Sequence, residues 1–111
     1  MSRSDVDRLT DIIRAAEAIA RHLDRGDVTD DLVFDAIRVR LIEIGEAVKD
    51  ISEATLSLAP EIPWAEIAGM RDHLAHRYFD TARSIVEVTA RRDVPRVLAA
   101  TRQLRADLLR S

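Results

Sequence analysis

Residues 71–78, Arg-Asp-His-Leu-Ala-His-Arg-Tyr, group the side chains best suited to proton transfer and to phosphate binding. His76 is the best candidate acid or base, because an imidazole titrates near neutral pH. Arg71 is the best partner for an oxyanion, because its guanidinium stays charged and can bind two oxygens at once. Together these groups suit RNA cleavage by the ribose 2′-hydroxyl, which requires proton transfer and stabilisation of a charged phosphorane but no metal ion.

The spacing of these residues limits how they can act together. Arg71 and His76 are five residues apart, which is about 140° around an ideal helix, so one straight helix would not direct both at the same point. Either the helix ends near His76, or two chains supply the groups together, and we favour two chains. Tyr78 has two interpretations: an aromatic residue at a helix end with its hydroxyl at the surface, or a hydroxyl open to covalent modification.

Other polar residues near this segment suggest weaker hypotheses. His73 and His76 have a metal-ligand spacing on a helix, but we expect no metal site because the chain offers no second ligand cluster. Glu46, beside Gly45, either helps to orient the arginine or is a solvated or capping residue. No glycine-rich phosphate loop is present, and we expect no cofactor.

Length and composition indicate a single domain, residues 1–111, that is ordered and soluble. The chain is 47% hydrophobic and 33% charged, and it contains no cysteine, which excludes disulfides and thiolate metal sites. The N-terminal segment lacks the apolar core of a signal peptide, and no apolar run approaches the ~20 residues of a membrane span. We therefore expect a cytoplasmic protein that does not contact a membrane.

The net charge of −3 is unevenly distributed along the chain. Residues 1–70 carry 8 basic and 15 acidic side chains, whereas residues 71–111 carry 9 basic and 5 acidic ones. A nucleic-acid ligand is therefore plausible near the reactive segment, but the chain as a whole is not a general polyanion binder.

The spacing of apolar residues predicts an all-α fold, a four- to five-helix up-and-down bundle. The predicted helices cover residues 5–25 and 30–53, a third from Trp64, a short fourth containing Ile85, Val86 and Val88, and a fifth that opens at Asp93 and Pro95. The second helix is apolar over much of its circumference, so it is either central or faces a partner. A homodimer would cover its surplus apolar surface, unless a single chain already does so.

The segment PWAEIAGMRDHLAHRYF, residues 63–79, resembles the HepT-like branch of the HEPN superfamily. The signature of that branch is an arginine, four residues, a histidine, any residue and a tyrosine, and Arg71, His76 and Tyr78 match it. The segments Ile-Gly-Glu-Ala at 44–47 and Asp-Val-Pro at 93–95 resemble two further family features. The resemblance spans nearly the whole chain.

The resemblance implies a small helical homodimer whose paired motifs meet in a cleft at the two-fold interface. It implies a toxin with metal-independent endoribonuclease activity, acting on RNA such as tRNA or mRNA, with catalytic roles on Arg71 and His76. Asp72 would be a supporting polar group, and Glu46, His73 and Arg77 are weaker supporting candidates. It also implies an MntA-like nucleotidyltransferase antitoxin that transfers AMP to Tyr78. The alternative is a non-catalytic binding subunit of such a nucleotidyltransferase complex.

Overall fold

The described part of the chain is mainly helical. The computed structural model describes residues 3–75 and 79–111. Within them lie α1 (Arg3–Arg25), α2 (Asp31–Lys49), α3 (Glu53–Leu56), α4 (Trp64–Ala75), α5 (Phe79–Val88) and α6 (Val94–Arg110), with a π-helical turn (Thr89–Asp93) between α5 and α6. No strand occurs in these two ranges, so the predicted all-α class is confirmed.

The long helices pack against their neighbours in antiparallel pairs. α1 contacts α2 and α6, and α2 also contacts α4. Arg102 Nη2 lies 2.8 Å from Glu17 Oε2, and Arg105 Nη1 lies 3.3 Å from Thr10 Oγ1. Because the later residue of α6 contacts the earlier residue of α1, these two helices run in opposite directions. This arrangement is the up-and-down bundle that the apolar pattern predicts.

One apolar cluster joins the described helices. The largest completely buried side chains are Leu9, Ile12, Ile19, Val28, Ile37, Leu74, Val86 and Thr101. Burying an aliphatic side chain of this size contributes roughly 1.5–3 kcal/mol, so these positions supply much of the driving force for folding. Leu74 is one of them, which fixes the last turn of α4 from within the core.

α2 is shorter than the sequence pattern predicts. It ends at Lys49, and Ser52 caps the separate turn α3, whereas the predicted helix continued to residue 53. One cause is Asp5 on α1, whose carboxylate accepts hydrogen bonds from the Ser52 backbone N–H at 3.1 Å and from the Ser52 hydroxyl at 2.7 Å. This long-range contact acts together with a local one, the N-cap bond that the Thr55 N–H donates to the Ser52 hydroxyl, to hold the chain out of the helix.

The predicted helix that opens at Asp93 and Pro95 is confirmed: α6 begins at Val94, with Asp93 at its N-cap position and Pro95 in its first turn. Pro95 lacks the N–H that would continue the α-helical hydrogen-bond ladder. The backbone instead forms a π-helical turn in which the Val94 N–H donates to the Thr89 carbonyl, five residues earlier, as in other π-type turns. α5 and α6 are therefore joined without leaving helical geometry.

Most of the apolar surface of α2 is covered within the chain. Phe34, Ile37, Leu41 and Ile44 are buried, whereas the side chains at two outward-facing positions are not. Leu32 is 82% exposed and Val39 is 49% exposed. None of the helices in the described residues has the combination of length and apolar content that crossing a bilayer requires.

Candidate active site

The crossing of α2 and α4 sets the position of Arg71. A Cβ atom placed on Gly45 would lie 3.1 Å from Arg71 Cβ and 3.1 Å from the Ile67 carbonyl oxygen. Both separations are closer than an ordinary van der Waals contact, so an added Cβ would require Arg71 or the α4 backbone to move by a few tenths of an ångström. A glycine within a helix costs roughly 1 kcal/mol relative to alanine. At this position it allows α4 to approach α2 closely.

Glu46 follows Gly45 and pairs directly with Arg71. Arg71 Nε forms an ion pair with Glu46 Oε1, and Arg71 Nη1 donates a hydrogen bond to Asp72 Oδ1 at 3.2 Å. The side chains of Arg71 and Glu46 are 43% and 48% exposed. The guanidinium is therefore oriented by carboxylates on two helices, yet it remains accessible from solvent.

Lys49 extends this ion-pair network, and nothing in the sequence singled it out. Lys49 Nζ lies 3.8 Å from Asp72 Oδ1, so Asp72 is placed between two cations. The available signal was its position three residues after Glu46, about one turn further along the same helix. We call Glu46, Lys49, Arg71 and Asp72 the Arg71 network.

Arg38 is a second residue that the sequence analysis missed. Its Nε donates to the Leu74 carbonyl oxygen at 2.9 Å. This bond ties α4 to α2 near the Arg71 network. The contact spans 36 positions of sequence, which explains why no local motif revealed it.

The structure brings together some of the predicted site residues. Glu46, Arg71 and Asp72 are in contact, whereas His73 is exposed at the end of α4. His76, Arg77 and Tyr78 lie outside the described residues. Across residues 3–75 and 79–111, no group of three or more His, Asp or Glu side chains is arranged to hold a metal ion.

As it stands, the network can bind an anion without help from a metal. Arg71 uses Nε and one N–H of Nη1 for its carboxylates, and a guanidinium has five N–H donors in all. The remaining donors are enough for a bidentate contact with phosphate oxygens. Arg71, the first residue of the Arg71–His76–Tyr78 motif, is therefore a fixed, solvent-accessible cation. It lies in the sequence just before the segment that carries His76.

Comparison with known proteins extends the likeness over most of the chain. A family profile described as "Ribonuclease HepT-like" matches residues 9–104. A protein of Thermococcus cleftensis named "Probable ribonuclease HepT" is 38% identical over 109 residues, covering 95% of this chain and 99% of that protein.

Two proteins that match over a shorter part of the chain are also named as RNases. A "Putative RNase" of Caldanaerobacter subterraneus subsp. tengcongensis is 40% identical over 62% of each chain. Another "Putative RNase", from Methanocaldococcus jannaschii, is 39% identical over 63% of this chain and 61% of that protein. No solved structure gave a significant match. With the profile covering residues 9–104, the chain belongs to the ribonuclease HepT-like family.

Proposed function

We propose that this chain is a metal-independent endoribonuclease that acts as the toxin of a toxin–antitoxin pair. The observation that carries the proposal is Arg71, fixed by Glu46 and half exposed, in a chain whose relatives are named as ribonucleases. The site chemistry on offer, a fixed guanidinium five residues before an imidazole, matches what RNA phosphodiester cleavage needs.

In the proposed reaction the ribose 2′-oxygen attacks the adjacent phosphorus and the bond to the 5′-oxygen breaks. His76 accepts the proton from the 2′-hydroxyl and returns it to the leaving 5′-oxygen. Arg71 neutralises charge on the phosphorane oxygens. The products are a 2′,3′-cyclic phosphate and a 5′-hydroxyl, so neither water nor a metal ion enters the bond-breaking step.

Purified protein incubated with total RNA in EDTA tests this reaction. We expect cleavage by the wild type, with a loss of about 100- to 1000-fold in Arg71→Ala and of about 100- to 10,000-fold in His76→Ala. Arg96→Ala, an exposed arginine on α6, is the matched control and should cleave like the wild type. RNA left equally intact by the wild type and by both site variants would overturn the nuclease proposal.

Regulation is proposed at Tyr78. An MntA-like nucleotidyltransferase antitoxin would transfer AMP from ATP to its hydroxyl and release pyrophosphate, which would place a phosphate and a base beside Arg71 and His76. Mass spectrometry after co-expression with such an enzyme should show added AMP on the wild type and none on Tyr78→Phe. AMP on Tyr78 of a chain that never cleaves RNA would instead favour the non-catalytic binding subunit.

Glu46 is proposed as a positioning residue, because it touches Arg71 and not the reacting atoms. Glu46→Gln should lower kcat by up to about 100-fold, since a shift of about 1 Å in a positioned group can cost that much. Glu43→Gln is the matched control, because Glu43 lies one turn earlier on α2 and pairs with Arg40 at 3.1 Å. Equal kcat values for the two variants, at equal free energies of unfolding, would remove Glu46 from the mechanism.

A further inference from the structure

A group of basic residues on α1 and α2 is set apart from the Arg71 network. Arg14, Arg21 and Arg25 lie on α1 at spacings of seven and four residues, which places them within about 40° of one another on one helix face. All three are exposed. They span roughly 16 Å along the axis of α1. Arg14 shares a groove between α1 and α2 with Arg40, and the same groove is lined by the carboxylates of Asp11, Glu43, Glu46 and Asp50.

The three α1 arginines differ from most other arginines in having no carboxylate close by. Within the described residues, no Asp or Glu oxygen lies within 4 Å of their guanidinium groups, whereas Arg8 pairs with Asp11 at 3.3 Å and Arg102 pairs with Glu17 at 2.8 Å. Three neighbouring arginines without carboxylate partners repel one another. Such an arrangement favours binding of an external anion.

Nearby carboxylates are engaged elsewhere. Asp30 accepts hydrogen bonds from the backbone N–H groups of Leu32 and Val33 as the cap of α2. Glu43 pairs with Arg40. Asp24 lies in the groove on the other side of α1, next to Arg91 and Pro95. Positive charge is therefore concentrated at Arg21 and Arg25, whereas the groove beside Arg14 and Arg40 also carries the carboxylates of Asp11, Glu43, Glu46 and Asp50.

The pKa of His22 reflects the combined charge of the nearby arginines. Burial lowers the pKa of His22, and repulsion from Arg40, Arg21 and Arg25 lowers it further. Three arginines on two different helices thus act on the same point. His22 and Arg25 line a pocket whose wall is formed by the apolar side chains of Leu32, Val33 and Ala36.

The position of this surface suits a strand that also reaches Arg71. α2 contacts both α1 and α4, so it lies between the α1 arginines and the Arg71 network. Arg25 lines a pocket with Val33, and Val33 precedes Glu46 by 13 residues, so Arg25 and the Arg71 network lie roughly 20 Å apart along α2. A single RNA strand of several nucleotides can span such a distance.

We propose that the α1 basic surface, defined as Arg21 and Arg25, binds the phosphates of single-stranded RNA several nucleotides away from the cleaved bond. The proposal rests on the ribonuclease function proposed above. Sequence-independent contacts of this kind add affinity and fix the direction of the strand, and they leave the selection of the cleaved bond to the active site.

Binding of a 2′-O-methyl RNA oligonucleotide tests the proposal, because this probe lacks the nucleophilic hydroxyl and cannot be cleaved. Fluorescence anisotropy between 50 and 200 mM salt gives Kd and its salt dependence. Each phosphate contact to a single strand contributes a slope of about 0.7 in log K against log salt. The double variant Arg21→Gln/Arg25→Gln should therefore lose about 1.4 of slope, with Kd raised about tenfold near 0.15 M salt.

The matched control is Arg96→Gln, since Arg96 is also exposed and lies on α6. Its Kd and slope should stay those of the wild type, and all variants should unfold at the same denaturant concentration. An unchanged Kd and slope in the double variant would overturn the proposal. The proposal would also be overturned if the double variant lost binding to an acidic peptide such as oligoglutamate but still bound the oligonucleotide. That result would point to a protein partner.

The result is separable from the test of the active site. Weakened oligonucleotide binding in the double variant, in a protein that never cleaves RNA, would support the basic surface and reject the nuclease proposal. Cleavage of RNA by a protein whose oligonucleotide affinity ignores Arg21 and Arg25 would reject the surface and leave the nuclease proposal standing.

Discussion

Asp5 shows how one buried carboxylate shapes this chain. It is 3% exposed and accepts hydrogen bonds from Ser52 and from the Thr55 hydroxyl, the latter at 2.6 Å. Burial alone would raise the pKa of Asp5, but the hydrogen bonds from Thr55 and Ser52 outweigh that effect and lower it. The ionised form is thus the one that holds α3 against α1.

Replacement of Asp5 by asparagine should lower the free energy of unfolding at pH 7 by about 1–3 kcal/mol, because hydroxyl donors would lose an ionised acceptor. Urea denaturation measures the change. Asp7→Asn is the matched control, since Asp7 is exposed on the same helix and should give a change within about 0.5 kcal/mol.

The effect of Asp5 should also depend on pH. A carboxyl whose folded pKa is lowered stabilises the protein above its unfolded pKa of about 3.9, and this contribution is lost as the pH falls through the folded pKa. The difference between the wild type and Asp5→Asn should therefore be constant near neutrality and shrink below about pH 4. A difference that stays the same down to pH 2 would contradict the role assigned to the ionised carboxylate.

At the scale of elements, replacement of two helical glycines by alanine should change the stability of the protein in opposite directions. Gly45 has Arg71 Cβ and the Ile67 carbonyl 3.1 Å from the position of an added Cβ, whereas Gly69 on α4 has nothing within 4 Å. Gly45→Ala should therefore destabilise the protein by about 1–3 kcal/mol through overpacking. Gly69→Ala should stabilise it by up to about 1 kcal/mol through helix propensity.

Denaturant unfolding of the two alanine variants is the measurement. Because the substitution is the same and both sites are helical, the pair isolates the effect of the α2–α4 approach. Equal effects in the two variants would show that the close approach at Gly45 carries no strain. Gly45→Ala should also disturb Arg71, so its RNA cleavage should fall more than its stability alone explains.

Elements with strong local signals were predictable from the sequence, and long-range contacts were not. The apolar stripe fixed α1, and Asp30 marked the start of α2, where it is indeed the cap. Trp64 was correctly predicted as the start of α4. The end of α2 was placed too late because one of its causes, Asp5, lies 47 residues away in sequence from Ser52.

The candidate site divides in the same way. Arg71 and Asp72 stand out by residue type, and Glu46 was noticed only because it adjoins Gly45. Lys49 and Arg38 lack any distinctive local pattern, and their roles arise from contacts between α2 and α4. A single sequence shows which side chains are chemically able, but the packing of helices decides which of them meet.

For the whole molecule, we expect two chains to assemble around the site. Apolar side chains on two helices remain exposed within the chain: Leu32, Val39, Ile85 and Val88. A two-fold dimer would cover part of this surface and would let Arg71 of one protomer act with His76 of its partner. Sedimentation equilibrium at micromolar concentration should give the mass of two chains.

Mixed dimers test the shared site directly. If each site takes Arg71 from one chain and His76 from the other, a chain pair of Arg71→Ala and His76→Ala retains one intact site. Random mixing makes half of the dimers mixed, so about a quarter of wild-type activity should return on mixing two inactive variants. A monomeric mass with no recovery would contradict the dimer.

The π-helical turn (Thr89–Asp93) has a consequence for how the gene can change length. Val86, Ala90, Val94 and Val97 are all buried, although two successive steps of four residues would drift by about 80° around a regular α-helix. The wider turn absorbs this drift and keeps α5 and α6 in phase. Loss of a single codon within the turn would therefore leave a regular α-helix in which Val94 follows Val86 by seven residues, about 20° away around the axis, whereas the same loss within α6 would rotate every later side chain by about 100°.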